Sequence, residues 1–327
     1  MPTEPENQTA EQPQSPRIVV VGSVNMDLVV RSERMPRPGE TIRGHDFVTA
    51  PGGKGANQAV GAARLGAMCQ MIGRVGDDMF GRQLLQNLQH SHVQTDHTLV
   101  TDRCPSGVAV IHVDEHGENA ITIVAGANGR VSPDDVDATE AVIAGAQVMI
   151  VQLELPLATV CYAVNIARKH GVTTILDPAP APSGGAPGSK LPDELHRVDI
   201  ISPNQTEARL LTGEQVTSVA EAKLVGAELV RRGAGAAVMK MGEQGVVVVT
   251  RDGQVEHVRG FSVKVVDTTA AGDAFTAGLA VGLAEGLPLV RAARLGCATG
   301  ALATTILGAQ QAMPTRSQVE RLMAGRM

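Results

Sequence analysis

Two acids, two threonines and three small residues fill the run Asp267-Thr268-Thr269-Ala270-Ala271-Gly272-Asp273, which leads straight into a helical stretch. Small side chains there leave room for a transferring phosphoryl group against the backbone amides of Ala271, Gly272 and Asp273. An Asp at such a place can accept a proton from an attacking hydroxyl. The plainer alternative is that Asp267, Thr268 or Asp273 only caps the helix. A second candidate, Gly52-Gly53-Lys54-Gly55-Ala56-Asn57-Gln58, sets consecutive glycines before another helix, so that backbone N–H groups and the positive helix end can approach a ligand. It lacks the spacing of a Walker A loop, and it also reads as a flexible turn with a solvated Lys.

Three smaller groups carry polar chemistry. Asn204-Gln205-Thr206-Glu207 has the spacing of a capping box, although a carboxylate at that helix start could also hold a water of Mg²⁺ near a nucleotide. Asn25 and Asp27, two apart in Gly22-Ser23-Val24-Asn25-Met26-Asp27, can face one pocket and bind vicinal hydroxyls, or form an Asx turn leaving a strand. Glu154, in Gln152-Leu153-Glu154, follows an apolar run and precedes Pro156, so it either binds substrate or favours the helix N-terminus. The nine histidines are read as surface or loop residues.

The elements that must hold these groups follow from periodicity. Apolar runs at 18–21, 148–151, 172–176, 198–201 and 236–239 read as buried parallel strands. Helical patterns lie between them at 56–65, 80–89, 134–144, 156–170, 207–212 and 220–232. Strand alternating with helix predicts an α/β fold with a doubly wound, mostly parallel sheet and helices on both faces. Ligands bind beyond the carboxyl ends of such strands, and the candidate groups at 22–27, 152–154 and 204–207 each follow one. Two stretches break the rhythm: 28–31 with 41–49, and 107–113 with 120–124, which alternate like half-exposed strands. They predict a small separate β-sheet, a lid drawn from about 28–49 and 107–124, whose uncovered apolar face should pair with something. Ala- and Gly-rich helices are expected at 270–285 and 289–307, with Ala274, Gly278 and Gly282 on one close-packing face, and a last helix at 317–323. Residues 1–16 read as a disordered tail before a single domain at 17–327, and 178–192 as a stiff Pro-rich loop.

Composition excludes several partners. Among 327 residues, 43% are hydrophobic and 19% charged, enough for a real core. The net charge of −6 supplies no basic field for a nucleic acid or an anionic membrane. With no Trp, one Tyr and four Phe, base-stacking platforms and Trp-stacked sugars are excluded, so a small polar ligand should be held by hydrogen bonds, backbone amides and charge. Cys69, Cys104, Cys161 and Cys297 show no paired spacing and are expected as free thiols. The N-terminal stretch has no signal pattern and no segment reads as a membrane span, which predicts a cytoplasmic protein.

Taken together and in order, the segments closely resemble the ribokinase branch of the ribokinase-like carbohydrate kinase family, over about 18–322. The resemblance is carried by Gly22–Asp27, Pro38-Gly-Glu-Thr41, Gly52–Gln58, Ala125-Gly-Ala-Asn128, Gln152–Glu154, Asp177-Pro-Ala-Pro-Ala181, Pro203–Glu207 and Asp267–Asp273. It implies ATP-dependent phosphorylation of D-ribose at its 5-hydroxyl, giving D-ribose 5-phosphate and ADP. Carried over by motif, Asn25, Asp27, Gly53, Lys54, Asn57 and Glu154 would surround the sugar, with Ala109 and Ile121 of the lid over its apolar side. Asp273 would be the general base, and Ala270, Ala271 and Gly272 the anion hole. The nucleotide would lie along Asn204, Lys240, Gly242, Gly245 and the helix around Cys297, with Glu207 supporting Mg²⁺ through water.

The family also uses a monovalent cation, K⁺, and the resemblance implies that Asp267, Thr269, Ala303, Ile306 and Gly308 would hold it here; the family often adds a hydroxyl where this chain has Ala312. Members often clasp their lid sheets into a homodimer. Other readings consistent with the residues are a kinase for another pentose or nucleoside-like sugar, such as 2-deoxyribose, and a non-catalytic sugar-binding regulator on the same fold.

Overall fold

A computed structural model describes residues 15–181 and 191–326. Most of the expected tail and the segment 182–190 of the expected Pro-rich loop lie outside the described residues. The strands are β1 (Arg17–Val21), β2 (Asn25–Ser32), β3 (Gly44–Gly52), β4 (Met68–Gly76), β5 (Thr98–Thr101), β6 (Gly107–Val113) and β7 (Asn119–Val124). They continue with β8 (Val148–Val151), β9 (Thr173–Leu176), β10 (Ile200–Ile201), β11 (Ala236–Lys240), β12 (Val246–Thr250) and β13 (Val255–Val258).

Nine strands form the main sheet in the order β13-β12-β11-β10-β9-β8-β1-β4-β5. Strands β5 through β11 in that order are parallel to one another, while β12 and β13 add an antiparallel edge. The aliphatic runs explain this burial. Ile18 and Val20 of β1 join one core while Val19 and Val21 join the other, and Val246/Val248 and Val247/Val249 of β12 divide the same way. Successive side chains point to opposite faces, so an uninterrupted apolar strand requires helices on both sides. One face carries the helices Lys54–Arg64, Ala271–Ala284 and Leu289–Ala303; the other carries Leu157–Lys169, Gln205–Thr212 and Val219–Arg231.

The expected α/β architecture is present, with differences of detail. The helix expected over 134–144 is two, Pro133–Asp137 and Glu140–Ala144, since Ser132 starts the first with a capping box and Thr139 breaks the pair. The helix expected to reach 307 ends at Ala303, where Thr304 and Thr305 turn their hydroxyls back on Ala301 and Leu302 carbonyls. Gly278 and Gly282 do permit close packing: a Cβ on Gly278 would stand 2.9 Å from Gly296 Cα, and one on Gly282 2.8 Å from Ala292 Cα.

The second sheet has the order β3-β2-β6-β7. Its β3 starts at Gly44 and runs to Gly52, three residues beyond the stretch read from alternation, because pairing with β2 continues until Asn25 meets Gly52. The sheet therefore delivers the glycine segment directly beside Asn25. All four cysteines are free, and burial pushes the thiols of Cys69 and Cys297 up to about 12, which leaves them unreactive.

Candidate active site

The loops after β1, β8, β9, β10 and β11 gather the candidate residues at the carboxyl end of the main sheet. The glycine segment shapes the first wall. Gly53 holds φ 89 as the cap of the helix Lys54–Arg64, and a Cβ there would lie 2.7 Å from the Asn25 amide nitrogen. A Cβ on Gly55 would lie 2.6 Å from the Ser23 nitrogen. Glycine is required because two backbones touch here, which fixes Lys54 and Asn57 beside β2.

Asp273 is the third residue of the helix Ala271–Ala284 and is buried. Its carboxylate accepts from Asn57 Nδ2 at 2.9 Å and from Gln58 Nε2 at 3.0 Å. Burial pushes its pKa up, Asp177 adds to the rise, and Lys54 and the two amides oppose it. Ala270, which caps the same helix, holds φ 56, a left-handed conformation that costs a non-glycine residue about 1–2 kcal/mol. The Ala271 amide donates to the Thr268 carbonyl at 3.2 Å, and Gly272 keeps the approach beside Asp273 open, its nearest neighbour on the side a Cβ would occupy being Lys240 Nζ at 3.6 Å.

A second group of charges lies next to this one. Glu154 accepts from the Ser23 hydroxyl and from the Lys54 amide at 3.3 Å. Asp27, on the same row of the small sheet as Ala109, has its pKa raised from 3.8 to about 7 by burial and by the carboxylates of Glu154 and Asp273, against the pull of Lys54. Burial works against the Lys54 ammonium, but Asp273, Asp177, Glu154 and Glu207 more than reverse it, and its pKa rises. Asn25 is buried and accepts from Asn128 Nδ2 at 2.7 Å. The buried Oδ1 of Asn57 has no hydrogen-bond partner among the described residues. Leaving a buried acceptor unpaired is costly, so this atom faces a place where a ligand donor belongs.

A cleft of about 810 Å³ adjoins Gly272 and includes Lys240, Gly242, Gly245 and Cys297 among its walls. Its volume falls in the range of small-molecule sites. Two of the four phenylalanines, Phe261 and Phe275, also line it, so aromatic contact is available after all; composition counts rings and does not say where they gather. Asn204 and Glu207 form the predicted capping box: the Asn204 side chain accepts from the Glu207 amide, and Glu207 accepts from Asn204 N and Nδ2, both at 2.7 Å. Asn204 also bridges to Lys240 at the end of β11.

Asp267, Thr269 and Gly308 are drawn together just before the helix Ala271–Ala284. The Asp267 carboxylate accepts from the Thr269 amide at 2.9 Å and from the Gly308 amide at 2.8 Å. Ala303 ends its helix next to this loop, since the Thr304 carbonyl accepts from the amides of Val266 and Asp267. Of the lid residues, Ala109 pairs in register with Asp27, whereas Ile121 pairs with Ile111, one row farther out. The isoleucine in the Asp27–Ala109 row is Ile123, which the motif reading missed. It also assigned no role to Gln58, Gln152 or Asp177. These contact Asp273 or one another across at least 94 residues of chain, beyond any local pattern.

The pfkB family carbohydrate kinase model matches residues 15–316. This chain belongs to that family. It is accordingly an enzyme, a phosphotransferase with an alcohol group as acceptor. It is 38% identical to the ribokinase of Haemophilus influenzae, over 92% of this chain and 96% of that one. It is also 38% identical to the deoxyribokinase of Salmonella typhi, over 79% of this chain and 82% of that one. Among solved structures, Arabidopsis thaliana ribokinase complexed with ribose and ATP superposes with a TM-score of 0.84 at 33% identity, covering 95% of this chain and 99% of that one. Among the described residues no helix is long and apolar enough to cross a membrane.

Proposed function

We propose that the protein transfers the γ-phosphoryl group of ATP to the 5-hydroxyl of D-ribose. The observation that carries this reading is the polar group of Asn25, Asp27, Lys54, Asn57 and Glu154 beside Asp273, with an unpaired buried Asn57 oxygen, next to Gly272, which lines a cleft of about 810 Å³. Asp27 and Glu154 suit vicinal hydroxyls, which donate to carboxylates in short charge-assisted bonds. Asp273 takes the proton of the attacking hydroxyl, and the amides of Ala271, Gly272 and Asp273 meet the charge that develops on the phosphoryl oxygens. Asn204, Lys240, Gly242, Gly245 and the surroundings of Cys297 hold the nucleotide. A phosphorylation assay across D-ribose, 2-deoxyribose, fructose and adenosine tests the assignment. D-ribose should give the highest kcat/KM; a higher value for 2-deoxyribose would move the protein to the deoxyribokinase function of its Salmonella relative.

Mg²⁺ and K⁺ belong to the same proposal. No cluster of three acidic, His or Cys side chains suited to a metal exists among the described residues, and both Glu207 oxygens serve the cap. A divalent ion would therefore come on the phosphates, neutralise their charge and meet Glu207 through water. For K⁺ the fit lies in the backbone: the carbonyls of Asp267, Thr269, Ala303, Ile306 and Gly308 accept no hydrogen bond from other loop amides or from side chains among the described residues. A bound cation would satisfy them beside the anion hole. Replacing K⁺ by a tetraalkylammonium salt at equal ionic strength should lower kcat several-fold; equal turnover in both would remove the cation from the reaction.

The four-stranded sheet is the lid in this proposal, and it brings two copies together. Val48, Ile121 and Ile123 share the face of Asp27 and stand 46%, 53% and 45% exposed. An apolar face this open next to the sugar pocket calls for cover, and a second lid sheet matches it in shape and chemistry. Sedimentation at micromolar concentration should give a dimer, and Ile123→Lys should give monomers. A wild-type monomer with full activity would defeat this part.

A further inference from the structure

Asp177 follows β9, is 2% exposed, and has no part in the reaction as proposed so far. Its two oxygens face different partners. Oδ1 accepts from Lys240 Nζ at 2.9 Å, while Oδ2 accepts from Gln58 Nε2 at 2.9 Å and lies 3.4 Å from the Thr276 hydroxyl. The same Gln58 nitrogen donates to Asp273 at 3.0 Å. Its orientation is fixed from behind, because Gln58 Oε1 accepts from Gln152 Nε2 at 2.6 Å. The amide group of Gln58 is thus clamped between two buried carboxylates. On the other side, Lys240 reaches the nucleotide cleft, and its ammonium stands against Gly272 at the anion hole.

We infer that Asp177 is a positioning residue for phosphoryl transfer, holding Gln58 against Asp273 with one oxygen and Lys240 at the anion hole with the other. The inference rests on Asp273 being the base. Gln58, Asp273 and Lys240 come from three elements, the helices at 54–64 and 271–284 and β11, and Asp177 bonds to a side chain of each: Gln58, Thr276 and Lys240. An acidic protein that handles polyphosphate needs positive charge at the cleft, yet a lone buried ammonium would be costly. Pairing with Asp177 resolves both demands: Lys240 stays ionised and fixed before the phosphates arrive. Preorganisation of this kind matters because a misplacement of about 1 Å can cost about 10²-fold in rate.

The test uses the electrostatics of the pair. The charged groups that act on Asp273 are Lys54 from the first helix, Asp27 from β2 and Asp177 after β9; behind them, Glu154 after β8 acts on Lys54 and Asp27, Lys240 from β11 on Asp177, and Glu207 from the helix Gln205–Thr212 on Lys54 and Lys240. Asp177 disfavours ionised Asp273, and Lys240 offsets Asp177. Asp177→Asn should therefore move the acid limb of the kcat profile to lower pH. Lys240→Met, which leaves Asp177 uncompensated, should move it to higher pH. Both should lower kcat by about 10–100-fold, and in Asp177→Asn the sugar KM should stay within about 3-fold. The double variant buries no unpaired charge, so it keeps the experiment available where a single variant folds poorly; its limb should return toward that of the parent while kcat stays low. A purely structural role would lower thermal stability without splitting the limbs in opposite directions, and limbs that stay in place or move together overturn the inference. Asp273→Asn run alongside separates the two ideas: near-parental turnover there would sink the base itself, whereas an inactive Asp273→Asn with unsplit limbs would sink only the role of Asp177.

Discussion

Asp273→Asn is expected to lower kcat by about 10²–10⁴-fold while the sugar KM stays within a few-fold of the parent. The carboxylate accepts from two amide donors, Asn57 Nδ2 and Gln58 Nε2, and Gln58 is itself held by Gln152. An Asn side chain offers one oxygen, so it can satisfy only one donor and must turn its own NH₂ toward the other. It also cannot take the hydroxyl proton. Binding is expected to persist because, in the proposed reading, the sugar would be held chiefly by Asn25, Asp27, Lys54 and Glu154, and the anion hole of Ala271 and Gly272 would be backbone. The pH profile carries a sign as well. Burial raises the Asp273 pKa, so its ionised, competent form is lost as pH falls through that raised value, and the acid limb of kcat should lie above the ordinary carboxylate range. Steady-state kinetics on a variant with parental circular dichroism decides the matter. Near-normal turnover would remove Asp273 from the role of base.

Much of this site was legible in the sequence because its parts sit at helix starts and strand ends, where local rules apply. Consecutive glycines, a capping box and a small-residue turn each leave a signature within a few residues, and the structure places all of them at the carboxyl end of one sheet. The aliphatic runs of β1, β8 and β11 announced burial on both faces for the same local reason. What escaped is non-local or ambiguous. Val246–Thr250 has the texture of a buried parallel strand, but the tight turn over Met241–Gly245 sets it antiparallel to β11, and Gly253 then turns the chain back into β13. The lid row containing Ile123 depends on the register of β6 with β7, which alternation leaves open by two residues. Asp177 and Lys240 are 63 residues apart in the chain, and nothing in either neighbourhood points to the other. Gln58 closes the glycine motif, but its role depends on the Asp177 and Asp273 carboxylates on either side of it, which lie far away in the chain.

The second large effect concerns Asp27, where function and stability should separate. Asp27→Asn is expected to raise the sugar KM by about 10²-fold, since two charge-assisted bonds to hydroxyls become weaker and one acceptor oxygen is lost. The same change should stabilise the ligand-free protein. The Asp27 carboxyl has its pKa raised from 3.8 to about 7, first by burial and then by the neighbouring carboxylates of Glu154 and Asp273. The folded state therefore holds a proton that the unfolded chain has already released, and the ionised form is penalised above neutral pH. A shift of about 3 units sets a ceiling of about 4 kcal/mol on that penalty. The penalty is complete above pH of about 7, shrinks as pH falls through that value, and vanishes below the unfolded pKa near 4. An Asn of the same shape carries no charge, so its advantage over the parent should be largest at about pH 8, roughly 1–3 kcal/mol, and should fade toward pH of about 4. Denaturant unfolding across that range measures the difference, and the titration of adjacent Lys54 offers no rival explanation because its pKa lies far above the window. A variant that is destabilised at pH 8, or whose advantage grows on acidification, would show that Asp27 is not the strained carboxylate of this site. The expected pattern would instead mean that the pocket holds an unfavourable charge in readiness for the hydroxyls that relieve it, which is what a site built from Asp, Glu and Lys rather than from stacked rings requires.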